Sequence, residues 1–349
     1  MTASGFPVYG ANGRIGYHDT FTHEKPTILI GCRGSCGTVH VTEPKSYANG
    51  NAMALDELDE TRVNLGFLVQ FFRRRGFRDV TSGTSQPQII RQNIVRVEIP
   101  LPPLSEQRRI AEVLDRAEAL RAKRRAALAQ LDALTLSLFL DLFGDPRSNP
   151  KSWPEIAMSE LFVAPPIFGS MIPPLAEKRG WLSLRVGNIQ DWTLDLRDSK
   201  YVDLPPESVD RHSVRDGDLL MARAIASKDH LGKCVIAHPN GEQWAFDSHL
   251  MRLRFDSTRS EPEFIRHLFM TPGGRALFLS VSRKSTVQYN INTKEISSLR
   301  IPVPPISLQR EFSRRITAVE KLKATHRAAL AELDALFASL QHRAFRGEL

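Results

Sequence analysis

Cysteine is scarce in this chain: three in 349 residues, at positions 32, 36 and 234. Three thiols build no disulfide framework, and the Cys32/Cys36 spacing has no second Cys or His pair at zinc-site distance, so all three read as small buried residues. No G-x-x-x-x-G-K-[ST] run is present, which argues against a phosphate-loop motor in this chain. An Asn-Pro-Pro-aromatic motif of the amino-methyltransferase kind is missing too, because APPIF at 164–168 and LPPES at 204–208 lack the asparagine. His18, His23 and His40 have no carboxylate or cysteine at ligand spacing, so they read as structural side chains and no metal site is expected. Asp216 and Asp218 in RDGDLL read as turn residues before a strand. No apolar run approaches the length of a membrane span, and MTASGFPVYG has neither the basic region nor the apolar core of a signal peptide. A cytoplasmic location without membrane contact is therefore expected.

What is present is ordinary in amount and unusual in arrangement. With 42% hydrophobic and 25% charged residues, the chain is long enough for two cored domains plus extended helices. A net charge of +8 and a pI near 9.6 favour a polyanionic partner. The arrangement is a duplication. PLPPLSEQRRI from Pro100 recurs as PVPPISLQREF from Pro302, an offset of 202 residues that needs no gap. Pro102/Pro304, Pro103/Pro305, Ser105/Ser307, Gln107/Gln309 and Arg108/Arg310 match, as does the run Arg125–Leu128 with Arg327–Leu330. Upstream, Thr84, Gln86 and Ile89 match Thr286, Gln288 and Ile291, so the repeat covers a domain together with a helix.

Each copy reads as a long helix after a proline stop, with Ser105 and Ser307 as expected N-caps. Apolar residues then recur at spacings of three and four: Ile110, Val113, Ala117, Leu120, Ala127, Leu131, Leu134 and Leu138 in the first copy. The second copy gives Phe312, Val319, Leu322, Ala329, Leu333, Leu336 and Leu340. This is a heptad seam, interrupted in both copies at one place, by Arg124 and His326, where a polar residue fixes register. Residues 105–142 would span about 57 Å. A duplicated seam most simply pairs with its twin, and antiparallel pairing gives an approximate two-fold axis inside one chain. The competing reading is two ordinary amphipathic helices, each packed on its own domain.

In chain order, YGANGRIGYHD marks turns, PTILIGCRGSCGTVHV reads as paired strands, and Asn64–Phe72 as a helix followed by Arg73, Arg74, Arg75 and Arg78. That arginine cluster suits either a solvated helix end or phosphate contacts. Ile94–Glu98 reads as a short strand, and FGDPRSNPKSWP as a linker. In the second half WLSLRVGNI, DGDLLMARA and KCVIA read as strands and EPEFIRHLFM as a helix.

The doubled helix lead-ins, the FGDP…NPKSWP linker, SGTSQPQI and STVQYNI, and GDLLMAR with PTILIGCRGSCG occur together in this order. In that combination the chain resembles the specificity subunits of Type I restriction-modification systems. The resemblance implies an α+β fold: two similar target recognition domains joined by two long helices that form an antiparallel coiled coil with internal pseudo-two-fold symmetry. It places the first recognition domain at 1–103, a spacer helix at 104–142, a linker at 143–150, the second domain at 151–303 and the C-terminal spacer helix at 304–349. It further implies a non-catalytic reader of a bipartite double-stranded DNA site, the helices setting the gap, about 17 base pairs for a 57 Å rod. Two methyltransferase subunits and the restriction/translocase subunits are the implied protein partners. S-adenosylmethionine, ATP and magnesium would sit in those partners, with no cofactor bound by this chain.

In such a domain polar and basic side chains on loops beside the strands would read bases. The candidates are Tyr9, Asn12, Arg14, Arg33, Ser35 and Gln86 in the first domain, and Arg223, Lys228, Lys233, Arg283, Lys284 and Gln288 in the second. Some of any such set go to phosphates or plain surface. The chain departs from the pattern at its front: only 24 residues precede KPTILIG, and nothing there corresponds to SWPEIAMSELF, the opening of the second domain. The first domain is therefore expected to be shortened. Two other readings stand beside the DNA reader: a scaffold or decoy that holds methyltransferase subunits without full DNA recognition, and a self-sufficient nuclease or methyltransferase.

Overall fold

The structure is a computed structural model and describes residues 4–83, 86–284 and 289–349, with Arg283 and Lys284 described in backbone only. The chain divides into two compact units, Met1–Ala127 with His326–Leu349, and Leu128–Thr325.

The first half supplies β1 (Phe6–Gly10), β2 (Gly13–His18), β3 (Ile28–Gly31), β4 (Val39–Val41), β5 (Tyr47–Ala48), β6 (Ala52–Leu55), α1 (Leu65–Arg75), β7 (Thr81–Ser82), β8 (Gln88–Ile89), α2 (Arg91–Ile94) and the 40-residue α3 (Leu104–Phe143). The second half supplies β9 (Glu155–Ala157), β10 (Phe162–Phe168), β11 (Trp181–Leu184), β12 (Ile189–Gln190), β13 (Thr193–Leu194), β14 (Lys200–Val202), α4 (Pro206–His212), β15 (Leu219–Ala222), β16 (Ala224–Ile225), β17 (Cys234–Ile236), β18 (Trp244–Phe246) and β19 (Leu250–Phe255). Then come α5 (Pro262–Met270), α6 (Pro272–Ser280), β20 (Arg283–Lys284), β21 (Tyr289–Asn290), α7 (Thr293–Ser298), β22 (Arg300–Pro302) and α8 (Ile306–Ala344).

The two units follow one plan. A sheet β2-β1-β5 in the first matches β14-β11-β18 in the second, each with one antiparallel and one parallel pairing about the central strand. A second sheet, β4-β3-β6, matches β17-β15-β19, which in the second unit continues to β10. Strand residues alternate between faces. Leu219 and Met221 accordingly join one core with Phe264 and Phe269, while Leu220 and Ala222 join another with Phe246 and Leu250. The first unit has one main core, where Ile28 and Ile30 meet Phe67, Phe72, Ile110 and Leu114.

The long helices run antiparallel in both units. In the first, Arg121 pairs with Asp334 at 2.6 Å and Arg124 meets His326 at 3.1 Å. In the second, Lys323 pairs with Asp132 at 2.9 Å, and Phe139 stacks edge-on against Phe312. Arg121 and Lys323 are equivalent under the 202-residue offset, as are Asp132 and Asp334, so one ion pair holds the seam twice. Arg124 and His326, the polar interruptions, face each other.

The phase of the seam differs from the sequence reading. Ile110 and Phe312 are fully buried, and Leu131, Leu138, Leu333 and Leu340 are half-buried, but Leu120, Leu134, Leu322 and Leu336 stand 47–51% exposed. Their expected places are taken by Arg121, Thr135, Lys323 and Phe337. The Arg121 guanidinium lies 4.3 Å from the centre of the Phe337 ring, and the Lys323 ammonium donates to Thr135 at 3.2 Å. Long polar side chains bury their stems and pair their heads, so apolarity alone misplaces the stripe by one position.

Three further expectations are corrected. Ser105 and Ser307 fall inside their helices, which begin at Leu104 and Ile306. Ile94–Glu98 forms no strand: Ile94 ends α2 as its equivalent Ile296 lies in α7, and β22, which pairs with β9, matches residues 98–100, where among the described residues the first unit has no strand. An 18-residue window of α3 reaches mean hydropathy 1.5, enough by length and composition to cross a membrane. That stretch owes its apolarity partly to Phe139 and Phe143, which enter the core of the second unit.

The FGDP segment is a folded turn. Asn149 exchanges hydrogen bonds with the Trp153 backbone at 2.8 and 2.9 Å, and the Trp153 indole donates to the Phe143 carbonyl at 3.0 Å, closing the end of α3.

Candidate nucleic-acid interface

What anchors each unit to its helix is a buried glutamine. Gln107 donates to the carbonyls of Pro102 and Arg62, both at 2.9 Å, and accepts from the Asn64 amide at 2.8 Å. Gln309 donates to Pro304 at 2.8 Å and to Arg259 at 3.4 Å, and accepts from the Glu261 amide at 3.0 Å. Both are fully buried. The amide side chain suits the task because it offers two donors and an acceptor, which satisfy groups at the start of α1 or α5 and in the proline turn at once.

In the first unit three turns converge. Gly31 ends β3, and a Cβ there would lie 2.3 Å from the Ser35 carbonyl, so only glycine lets loop 32–38 fold back. Thr38 then donates to the Ala11 carbonyl, bringing the loop to the β1–β2 turn. On its other side the Ile89 amide donates to the Cys32 carbonyl at 3.0 Å and the Cys36 thiol to the Pro87 carbonyl at 2.8 Å, which bring in the β7–β8 turn. Asn12, Arg33 and Gln86 are exposed on this cluster and Ser35 is half-buried in it. Cys32 and Cys36 are half-buried, against the expectation of burial, and burial still pushes the Cys32 thiol up. Tyr9 and Arg14 lie apart from the cluster at Glu43. The Tyr9 side chain is buried with its hydroxyl donating to the Glu43 carboxylate at 3.3 Å, and Arg14 pairs with the same carboxylate at 3.1 Å. His18 and His23 also have acids, Asp19 at 2.8 Å and Asp56 at 3.1 Å.

The second unit repeats the junction: the Ile291 amide donates to the Arg223 carbonyl at 2.9 Å, as Ile89 does to Cys32. The β20–β21 hairpin thus lies beside β16, and Arg283 and Lys284 pair with Asn290 and Tyr289 in it. Gln288 lies outside the described residues, as do the side chains of Arg283 and Lys284. The Arg223 guanidinium stacks 4.0 Å from the Phe168 ring. Burial lowers its pKa while Asp247 raises it, and among the described residues its Nε meets no acceptor. Lys233 is tied to Asp191 at 3.4 Å, and Lys228 is exposed at the opposite end of its loop, where its carbonyl accepts from Arg275 at 3.0 Å. The basic set therefore does not converge on one point. Asp218, read as a turn residue, is a fully buried carboxylate held by Arg254 at 2.6 and 2.7 Å.

Sequence reasoning missed Glu43, which pairs with Arg14, and Phe168, on which Arg223 stacks. These contacts join distant segments, so no local pattern announces them. Gln107 and Gln309 did carry a signal, recurrence at the offset, though not the reason for it.

Residues 3–130 match the family model described as the Type I restriction modification DNA specificity domain. The specificity subunit of the Type I restriction enzyme EcoKI from Escherichia coli (strain K12) is 25% identical over 313 residues, covering 83% of this chain and 67% of that protein. The StySPI specificity subunit of Salmonella potsdam is 25% identical over 303 residues, covering 81% and 64%. Among solved structures, the Type I S subunit from M. genitalium superposes with a TM-score of 0.67 at 16% identity, over 99% of this chain and 90% of that one. A chain from a study of complex assembly and conformational transition of the type I R-M system gives 0.54 at 18%, over 99% and 92%. The matched region spans about two thirds of the length of these curated relatives. Residues 3–130 thus match the Type I DNA specificity domain, the chain is similar over most of its length to Type I specificity subunits, and its fold is that of the solved S subunit.

Proposed function

We propose that this chain reads a bipartite DNA sequence and presents it to methyltransferase and restriction subunits. The recognition segments are 1–103 and 151–303, with 104–142 and 304–349 as spacers and 143–150 as the link. The observation that carries the reading is the duplicated junction: in each unit a loop leaving the central strand and a following hairpin are tied together at equivalent residues, Cys32/Ile89 and Arg223/Ile291, and the unit is clamped to a long helix by one buried glutamine. Two such units in one chain suit two half-sites. Asn12, Arg33 and Gln86 offer the paired donors and acceptors that match adenine and guanine edges, and the net positive charge adds a sequence-independent attraction to the backbone. The chain itself contributes no chemistry in this reading; S-adenosylmethionine, ATP and magnesium belong to the partners. The exposed leucines of the long helices, Leu120 and Leu336 in one unit, Leu134 and Leu322 in the other, are the docking surface for two methyltransferase subunits.

The test is a genome-wide map of methylated adenine in cells co-expressing this chain with its methyltransferase, against cells lacking the chain. An interrupted motif with two defined halves is expected. A motif with one defined half would mean that the first unit does not read. No new methylation would favour the second reading, a scaffold that holds methyltransferase subunits without full recognition.

A further inference from the structure

One turn is built twice, with the same backbone bonds, at the end of each unit where the candidate contacts gather. In the first unit it is Asn49–Asn51, between β5 and β6. The Asn49 amide donates to the Tyr9 carbonyl at 2.9 Å, its Oδ1 accepts from the Asn51 amide at 3.0 Å, and its carbonyl accepts from the Ala52 amide at 3.1 Å. The Asn51 carbonyl in turn accepts from the Cys32 amide at 2.8 Å. In the second unit it is Asp247–His249, between β18 and β19, and the four bonds recur. The Asp247 amide donates to Leu184 at 2.9 Å, its Oδ1 accepts from His249 at 3.0 Å, its carbonyl from Leu250 at 3.0 Å, and the His249 carbonyl from Arg223 at 3.0 Å. Cys32 and Arg223 are therefore held on both sides, by the amide to this turn and by the carbonyl to Ile89 or Ile291. Asparagine and aspartate serve equally at the first position, because both present an oxygen to the amide two residues on.

The third position is where the two turns part. The first uses its side chain to hold the turn, and the second is Gly50 or a half-buried Ser248. The third is exposed in both units: Asn51, whose side chain has no hydrogen-bond partner among the described residues, and His249. The His249 ring turns Nδ1 toward Asp247 at 3.5 Å and is 60% exposed. It stays exposed although Ser170 packs on the preceding residues, its amide donating to the Phe246 carbonyl at 2.8 Å. We propose that Asn51 and His249 are specificity-determining residues at corresponding positions of the two half-sites, each reading one base edge in the major groove. Asn51 carries the paired donor and acceptor that match adenine N6 and N7, whereas His249 offers the single nitrogen Nε2, so the halves differ at that base pair. Asn49 and Asp247 are the positioning residues that hold them. The inference rests on the proposed reading of a bipartite DNA site.

The test is the map of methylated adenine in cells co-expressing the methyltransferase with the full chain carrying Asn51→Ala or His249→Ala, together with thermal melting of each variant. Asn51→Ala should relax one base pair, an A·T pair, in one half of the motif, and His249→Ala one base pair in the other half. Methylation at sites that differ from the wild-type motif only there should rise at least about fivefold, the lower end for one lost base contact. Melting should not move, since both side chains stand in solvent. Should an alanine variant unfold, Asn51→His and His249→Asn take its place, and each should change the preferred base at that one position. Asp247→Asn should keep the wild-type motif, because the first unit builds the same turn with asparagine, whereas Asp247→Ala should relax the same half as His249→Ala. A bipartite wild-type motif that the Asn51 and His249 variants retain base for base would overturn this inference alone, as would relaxation of both halves by a single variant. Absence of any motif in the wild type would overturn it together with the reading on which it rests.

Discussion

The two units are built alike where they grip the helices and unlike where they face outward. The glutamine clamp, the Arg121–Asp334 and Lys323–Asp132 pairs, and the Cys32–Ile89 and Arg223–Ile291 junctions are equivalent. The register between copies is 202 at the hairpins and helices but 197 at the clamp's other end, where Asn64 answers to Glu261. Five residues are thus inserted in the second unit between Glu261 and the β20–β21 hairpin, the stretch that carries α6, and that unit also has the small hairpin β12–β13 and the strands β9 and β10. Duplication has preserved what sets the geometry of the helices. The proposed reader of two different half-sites would need the units to differ elsewhere.

The comparison breaks first at the helix seam. Phe312, equivalent to Ile110, touches the rings of Phe139, Phe143 and His267 with centroids 5.5, 5.2 and 5.2 Å away. Phe312→Ala should cost about 3–5 kcal/mol and Ile110→Ala about 2–4 kcal/mol, from lost transfer energy plus the cavity left behind. Calorimetry is the measurement. If each unit unfolds cooperatively, Phe312→Ala lowers the transition of the second unit and Ile110→Ala that of the first. Equal effects of both variants on one shared transition would show that the seam couples the units into a single cooperative body.

The clamp comes next. Gln107→Ala and Gln309→Ala each strand a half-buried backbone amide and two carbonyls, so about 1–2 kcal/mol apiece is expected in urea unfolding. Near-equality is the sharp part: a cost at one site and none at the other would mean that the shared geometry does not carry shared energy.

The duplication, the long helices and their antiparallel pairing were all legible in the sequence, because each is a matter of repeated residues or of helical period. The phase of the seam was not. Arg121 and Lys323 occupy it through their stems and ion pairs, and a count of apolar residues puts Leu120 and Leu322 there instead. The strand expected at 94–98 failed for another reason: its equivalents 296–300 are mostly the end of helix α7, and only Arg300 among them belongs to a strand, β22, whose partner β9 lies about 145 residues earlier in the chain. Of the candidate interface, Asn12, Arg33, Ser35 and Gln86 do converge, whereas Tyr9 and Arg14 serve Glu43. What decides between these outcomes is the tie from Thr38 to Ala11, and a contact between two loops leaves no periodic trace.

Acid should separate the units more gently. Glu263 is mostly buried beside Arg266 at 3.1 Å and His267 at 3.2 Å. Burial, the largest single influence, pushes its pKa up, but the His267 and Arg266 donors and charges outweigh it and hold the carboxyl at about 2, below its ordinary 4.5. The folded state therefore binds this proton less readily than the unfolded state. Its stabilising contribution is complete above about 4.5 and is lost as pH falls toward about 2. The second unit should lose stability across that window, and Glu263→Gln should flatten the dependence. An unchanged slope in the variant would assign the acid sensitivity to other carboxylates.

The smallest effect on folding is expected where the proposed effect on assembly is largest. Leu120 and Leu322 are equivalent, exposed by 51% and 47%, and stand beside the seam rather than in it. Replacing either by Ser should move unfolding stability by no more than about 0.5 kcal/mol, since little apolar area leaves a buried environment. If these leucines dock methyltransferase subunits, Leu120→Ser with Leu322→Ser should lower the number of subunits bound, as read by sedimentation of the mixed complex, with the melting curve of the chain alone unchanged. Each single variant should then affect one binding event, since one position lies in each unit. Full assembly by the double variant would move the docking surface elsewhere, and a large loss of stability would show that the two leucines belong to the seam after all.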